Sequence, residues 1–194
     1  MSELATTQDI DGGHPLEYGS PLSDPRAFRR CLGQYATGVA VITTRHQGRS
    51  VGMAVNSFAA VSLDPALVLW SIRRESSGLQ SFIEAPEFAV NVLAASQIEI
   101  AQVFGSGHPD RFAHGSWSAG VGEVPLLEGA LARFECRREA VHEGGDHLIL
   151  VGRVERYARF AGEPLVFAQG QYALSQEYPP AARSSTSAAT GACA

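Results

Sequence analysis

The sequence predicts a mainly β domain: an antiparallel barrel, closed or partly closed, with a few helices packed outside it. Three observations predict this. Short β-patterned runs separated by turn residues dominate residues 38–174, and few stretches carry helical periodicity. Few helices stand between successive runs, so most connections read as antiparallel. No Gly-x-Gly-x-x-Gly follows a strand, which removes a doubly wound nucleotide fold.

The elements follow in order. Ser23 or Asp24 can cap an opening helix, Pro25 suits its first turn, and Phe28, Cys31, Leu32 and Tyr35 form one apolar face up to Gly38. GVAVITT, residues 38–44, reads as a strand. The polar turn His46-Gln47-Gly48-Arg49 joins it to a second strand running over residues 51–62, which makes a hairpin. Asp64-Pro65 breaks the chain before ALVLWSI, residues 66–72. A short helix is expected to start at Ser76 or Ser77, to present Leu79, Phe82 and Ile83, and to stop at Pro86. FAVNVLA is the next strand. In SQIEIAQVF, Ser96 and Glu99 have the spacing of a capping box. Two long strands, residues 130–141 and 147–160, flank Gly144-Gly145-Asp146 as a hairpin, and PLVFAQGQYAL closes the domain.

Composition limits the function. A chain of 194 residues, 45% hydrophobic and 18% charged, fits one packed domain of residues 23–178. Residues 1–22 read as a flexible acidic tail and residues 179–194 as a disordered Ala/Ser-rich tail. No run of eighteen apolar residues exists, and the N-terminus lacks the basic start and apolar core of a secretory signal. A soluble cytoplasmic protein with no membrane partner is expected. Fifteen basic against twenty acidic residues give a net charge of −5, and residues 1–24 hold five acids and no base. The body is thus balanced, without the basic stripe that nucleic-acid binding needs. Three scattered cysteines, Cys31, Cys136 and Cys193, form no CxxC pair and fit neither a disulfide framework nor a zinc ribbon. Cys31 and Cys136 lie in apolar patterns and read as small buried hydrophobes.

Two segments place polar groups where core is otherwise expected. In GMAVNSFAAVSLDPALVLWSIRRESS, Asn56, Ser57 and Ser62 interrupt a β pattern, and Arg73, Arg74, Ser76 and Ser77 follow the next strand. Hydroxyls, guanidinium groups and the N–H groups of a helix start suit a phosphate. The plain alternative is an edge strand followed by an ordinary helix cap. Gly144-Gly145-Asp146-His147 opens a strand, where the histidine can meet a planar ligand with Asp146 orienting it, or can simply be solvated at a turn. Gly107-His108-Pro109-Asp110 with Arg111 and His114 lacks the helical spacing of a metal site, so no metal is expected. A nucleophile elbow, an HExxH helix and a Walker loop are all missing from the sequence.

Together these stretches resemble the flavin reductase family, the short NAD(P)H-dependent reductases of two-component monooxygenases. FRRCLGQYATGVAVITT, GMAVNSFAAVSLDPALVLWSI, FAVNVL, the Asp110-Arg111-Phe112 triplet with Trp117 after it, GDHLILVGRVE and PLVFAQGQY match in order over about residues 25–174. The resemblance implies an FMN-binding split barrel of Greek-key type, a homodimer, FMN or FAD with NADH or NADPH, and a partner oxygenase fed by diffusing reduced flavin. It implies that Met53, Ala54, Val55, Asn56 and Ser57 border the flavin ring, that Ser62, Arg74, Ser76 and Ser77 serve its phosphate and ribityl chain, and that Ser71 is a further cofactor-binding residue. Gly145, Asp146 and His147 then flank the nicotinamide, with His147 as the catalytic-site residue that positions it, and Phe112 and Tyr172 border the pocket. Where the family often has Lys in RRESS this chain has Arg, which keeps the charge and adds a fork. The tails fall outside the family pattern. Two rival readings are a non-catalytic flavin carrier or sensor on the same barrel and a pyridoxamine-phosphate-oxidase-like enzyme, the latter disfavoured by the GDH and SFAAVSLDP stretches.

Overall fold

The computed structural model describes residues 15–176. Its main sheet has seven antiparallel strands, in the order β3 (Arg49–Val55), β2 (Ala40–His46), β6 (Glu87–Val92), β9 (Ala132–Gly144), β10 (His147–Arg159), β5 (Ala66–Arg73) and β4 (Ala59–Leu63). The two edge strands, β3 and β4, are neighbours in sequence, with only Asn56, Ser57 and Phe58 between them. A flat sheet of seven strands would hold its edges about 29 Å apart at ~4.8 Å per step. The chain from Val55 to Ala59 spans at most about 14 Å. The sheet must therefore curl until its edges nearly meet, which makes a barrel split along one seam. Ser57 fastens that seam: its Oγ accepts the Ser71 N–H at 3.0 Å and donates to the Ser71 carbonyl at 3.2 Å, tying the crossing to β5.

Alternation along each strand sorts the core into two layers. On β2, Ala40 and Ile42 point into the barrel with Trp70, Ile72, Phe82, Phe88 and Leu150. Val41, and Val39 just before the strand, point outward to Leu93, Ile100, Phe104, Leu127 and Leu165. Both faces of β2 are covered, so an unbroken apolar run is what this position requires. Inside, the Phe88 ring lies over Gly152, where a Cβ would come within 2.3 Å of it. Outside, the cover is α3 (Ile98–Gly105), a small sheet of β1 (Thr37–Gly38), β11 (Leu165–Ala168) and β12 (Gln171–Leu174), and the pair β7 (Trp117–Ala119) and β8 (Pro125–Leu127). Asn91 is fully buried between layers. Its Nδ2 donates to the Val41 carbonyl at 3.0 Å and to Thr43 Oγ1 at 3.2 Å, while its Oδ1 accepts the Leu127 N–H at 2.8 Å.

Several expectations need correction. The opening helix α1 (Pro25–Leu32) is capped by Asp24 but ends well before Gly38: Gly33 at its C-cap keeps helical backbone angles, and its carbonyl accepts the Gln169 N–H at 2.7 Å in place of a further helical bond. Its apolar face is exposed, Cys31 included, since no other described residue covers it. The strand expected over residues 51–62 is broken at the seam. The short helix α2 (Leu79–Glu84) has Gly78 at its N-cap, not Ser76 or Ser77; Ser76 only accepts the Gly78 N–H at 3.4 Å. The Ser96/Glu99 capping box does not form, and Gln97 Oε1 instead accepts the Ala94 N–H at 3.1 Å. The β9–β10 hairpin stands where it was expected, with bulges beside Gly152 and Glu155. The tail expected over residues 1–22 overlaps the described residues only from 15 onward, where Glu17 accepts from Arg30 at 2.6 Å. The C-terminal tail lies outside the described residues. Among the described residues no helix is long and apolar enough to cross a membrane.

Candidate functional site

A cleft of about 650 Å³ runs along the free edge of β3. One wall is β3 itself, from Arg49 to Ala54; a second is Ser76, Ser77 and Ser81; a third is Phe104, His108, Arg111 and Phe112. Gly52 lets the third wall close in, since a Cβ there would meet Phe104 Cε1 at 2.8 Å and Phe112 Cζ at 3.1 Å. The two rings pack edge to face at 5.2 Å, with Trp117 against both. Arg111 locks the loop before it: Nη1 donates to the Gly52 carbonyl at 2.8 Å and Nη2 to the Ser106 carbonyl.

Strand geometry fixes which backbone groups face the cleft. The Leu93 N–H donates to Val39, so Val39, Val41 and Thr43 turn their polar groups to β6. Ala40, Ile42 and Thr44 then bond to Val55, Met53 and Val51, their register partners on β3. Ser50, Gly52 and Ala54 are left facing outward. Arg111 takes the Gly52 carbonyl, and the N–H and C=O of Ala54 remain for a ligand. Past the end of β3 a second hollow of about 480 Å³ is lined by Thr37, Asn56, Ser57 and the end of α1. The Thr37 hydroxyl is buried there without a partner among the described residues.

The site residues expected from the sequence separate into groups. Met53, Ala54, Ser76, Ser77 and Phe112 share the cleft; Asn56 and Ser57 share the second hollow. Val55 is buried in the barrel. The hydroxyl of Ser57 and the backbone of Ser71 are engaged with each other at the seam. Ser62 stands opposite Leu67, about 20 Å along β5 from Arg73, so it does not join Ser76 and Ser77. Arg74 is turned to the β9–β10 hairpin: its Nε donates to the Gly145 carbonyl at 3.0 Å and its far end pairs with Glu143. Gly145, Asp146 and His147 form the tip of that hairpin and lie outside the cleft walls of this chain. Asp146 Oδ1 and His147 Nδ1 are 2.8 Å apart, and the hydrogen bond, followed by the imidazole charge, holds the Asp146 carboxyl below its usual range. Tyr172 sits in the small sheet against Phe167 at 5.4 Å, and burial pushes its phenol up.

Sequence reasoning had missed Arg49, Ser81, His108 and Arg111 as cleft residues. Arg111 and Gly52 were present in the stretches that carry the resemblance, but nothing marked them as a contact pair. His108 accepts the Asp110 N–H on Nδ1 at 3.2 Å, which leaves Nε2 as the proton-bearing nitrogen of the neutral ring. No carboxylate lines the cleft among the described residues. Free strand-edge amides, an aromatic flank and hydroxyls with guanidinium groups make a site for a flat ring that carries an anion.

The comparisons agree with that class of site. Residues 32–174 match the flavin reductase like domain. The FMN reductase (NADH) SmoA of Agrobacterium fabrum is 46% identical over 147 residues, covering 76% of this chain and 84% of that one. HsaB of Rhodococcus jostii, the reductase subunit of a flavin-dependent monooxygenase, is 45% identical over 150 residues, covering 77% of each. The NADH:FAD oxidoreductase SgcE6 of Streptomyces globisporus, solved with NAD and FAD fragments, superposes with a TM-score of 0.78 at 36% identity, over 86% of this chain and 99% of that one. The chain belongs to the flavin reductase family.

Proposed function

We propose that this protein is an NAD(P)H-dependent flavin reductase that passes reduced FMN or FAD to a partner monooxygenase. The observation that carries the reading is the carboxylate-free cleft along the unpaired edge of β3, in a barrel of the flavin reductase family. The flavin and the nicotinamide supply the hydride chemistry when bound. The protein's own part is binding and orientation. Ala54 offers an N–H and a C=O to the polar edge of a ring, Asn56 and the unpartnered Thr37 hydroxyl extend that polar strip, and Ser76 and Ser77 stand at the anionic end. His147, oriented by Asp146, is proposed to hold the nicotinamide. That role needs the hairpin tip and the cleft to come together, which a second copy of the chain can provide.

A homodimer is part of the same proposal. Leu32 and Tyr35 at the end of α1 border the hollow that holds Asn56, and both are largely exposed in the single chain. A cytoplasmic location is also inferred, in keeping with Cys31 and Cys136 being free thiols. Purified protein mixed with NADH or NADPH and with FMN, FAD or riboflavin is expected to oxidise the nicotinamide, read at its absorbance band. Tight retention of flavin without nicotinamide oxidation would instead mark a carrier or sensor.

A further inference from the structure

We propose that Arg49, and not Arg74, is the cation that binds the flavin phosphate, acting across the cleft from the hydroxyls of Ser76 and Ser77. The inference rests on the flavin reading and assigns the anionic end of that site. Arg49 opens β3 and lines the cleft. It lies on the same face of the strand as Val51 and Met53. Val51 meets the start of α2, where a Cβ on Gly78 would lie 3.3 Å from Val51 Cγ1. Ser76 and Ser77 immediately precede that contact, so Arg49 stands two strand positions, about 7 Å, beyond the point where they approach β3.

Arg74 and Arg111 have their charge or their donors committed. Arg74 holds Gly145 and Glu143, and its backbone N–H donates to the Asp146 carbonyl at 3.0 Å. Arg111 spends its two terminal nitrogens on the Gly52 and Ser106 carbonyls. Arg49 has no ion pair or side-chain hydrogen bond among the described residues. Glu84, an acid beside this hairpin, pairs instead with His46, the register partner of Arg49, at 3.0 Å. An uncommitted guanidinium in a cleft without carboxylates gains most from an incoming phosphate, which it can grip with two parallel N–H donors.

The test compares binding of FMN and riboflavin, by flavin fluorescence titration, to the wild type, Arg49→Gln, Arg49→Lys and Arg74→Gln. The wild type is expected to prefer FMN. Arg49→Gln is expected to lose about tenfold or more in FMN affinity with less than about a twofold change for riboflavin. Arg49→Lys should recover part of the loss, and Arg74→Gln should keep the preference for FMN. A wild type without that preference, or an Arg49→Gln variant that retains it, would each overturn the assignment. Parallel assays of NADH oxidation separate the two claims: the binding pattern with no flavin reduction would sink the reductase reading and leave the phosphate role standing.

Discussion

Asp146 and His147 make a contact governed by protonation. The carboxyl titrates lower in the folded chain than in an unfolded one because the histidine bonds to it and carries charge beside it. Its stabilising effect is therefore complete above the ordinary carboxylate range, near pH 4, and is lost as pH falls through the depressed folded value. In an NMR titration, His147→Ala should move the Asp146 midpoint upward toward that ordinary range. An unmoved midpoint would refute the pairing. The two described cysteines show the limit of reading single residues from a pattern. Both lie in apolar runs, yet Cys136 is buried, with its thiol pushed up to about 12 by desolvation, while Cys31 is exposed. An apolar face on a helix says that something must cover it, but not that the same chain does so.

Elements were legible where period and punctuation agreed. The long β9–β10 hairpin and the strand of FAVNVLA stand where expected, each a β-patterned run bounded by turn residues. The seam did not show in the pattern because apolar residues resume directly after Ser57, so local sequence favoured one long strand over two short ones. Asn91 was hidden for a related reason: a polar residue inside an apolar run can be an error, a ligand contact or a structural pin. Here it is a pin, joining β6 to β8. Asn91→Ala should cost about 2 kcal/mol or more in denaturant unfolding, because the buried Leu127 N–H loses its acceptor. A loss below about 0.5 kcal/mol would mean that β8 finds another anchor.

At the level of the whole molecule, a three-residue crossing closes a seven-stranded sheet and leaves α1 standing off the barrel. Phe28 is 45% exposed, Leu32 59% and Tyr35 79%, with Leu63 on the edge strand β4 at 95%. A helix face this apolar is stable in water when it meets another surface. Light scattering at micromolar concentration should give a dimer for the wild type and a monomer for Leu32→Glu with unchanged circular dichroism. A monomeric wild type would remove the case for a second copy. The barrel itself was legible from the count and spacing of strands. The division of the site residues between the β3 cleft and the hairpin tip was not, because it depends on which strands become edges.

That choice of edge has a further consequence. A strand kept unpaired to receive a ligand also offers its amides to any extended chain that arrives first, the route by which sheets from separate molecules fuse into aggregates. The Arg111 Nη1 hydrogen bond to the Gly52 carbonyl blunts this hazard at one point, and an occupant of the cleft would cover the rest. Preparations stripped of flavin should thus precipitate sooner on storage than those kept saturated with it, and the shelf life of the protein becomes a reporter of its occupancy.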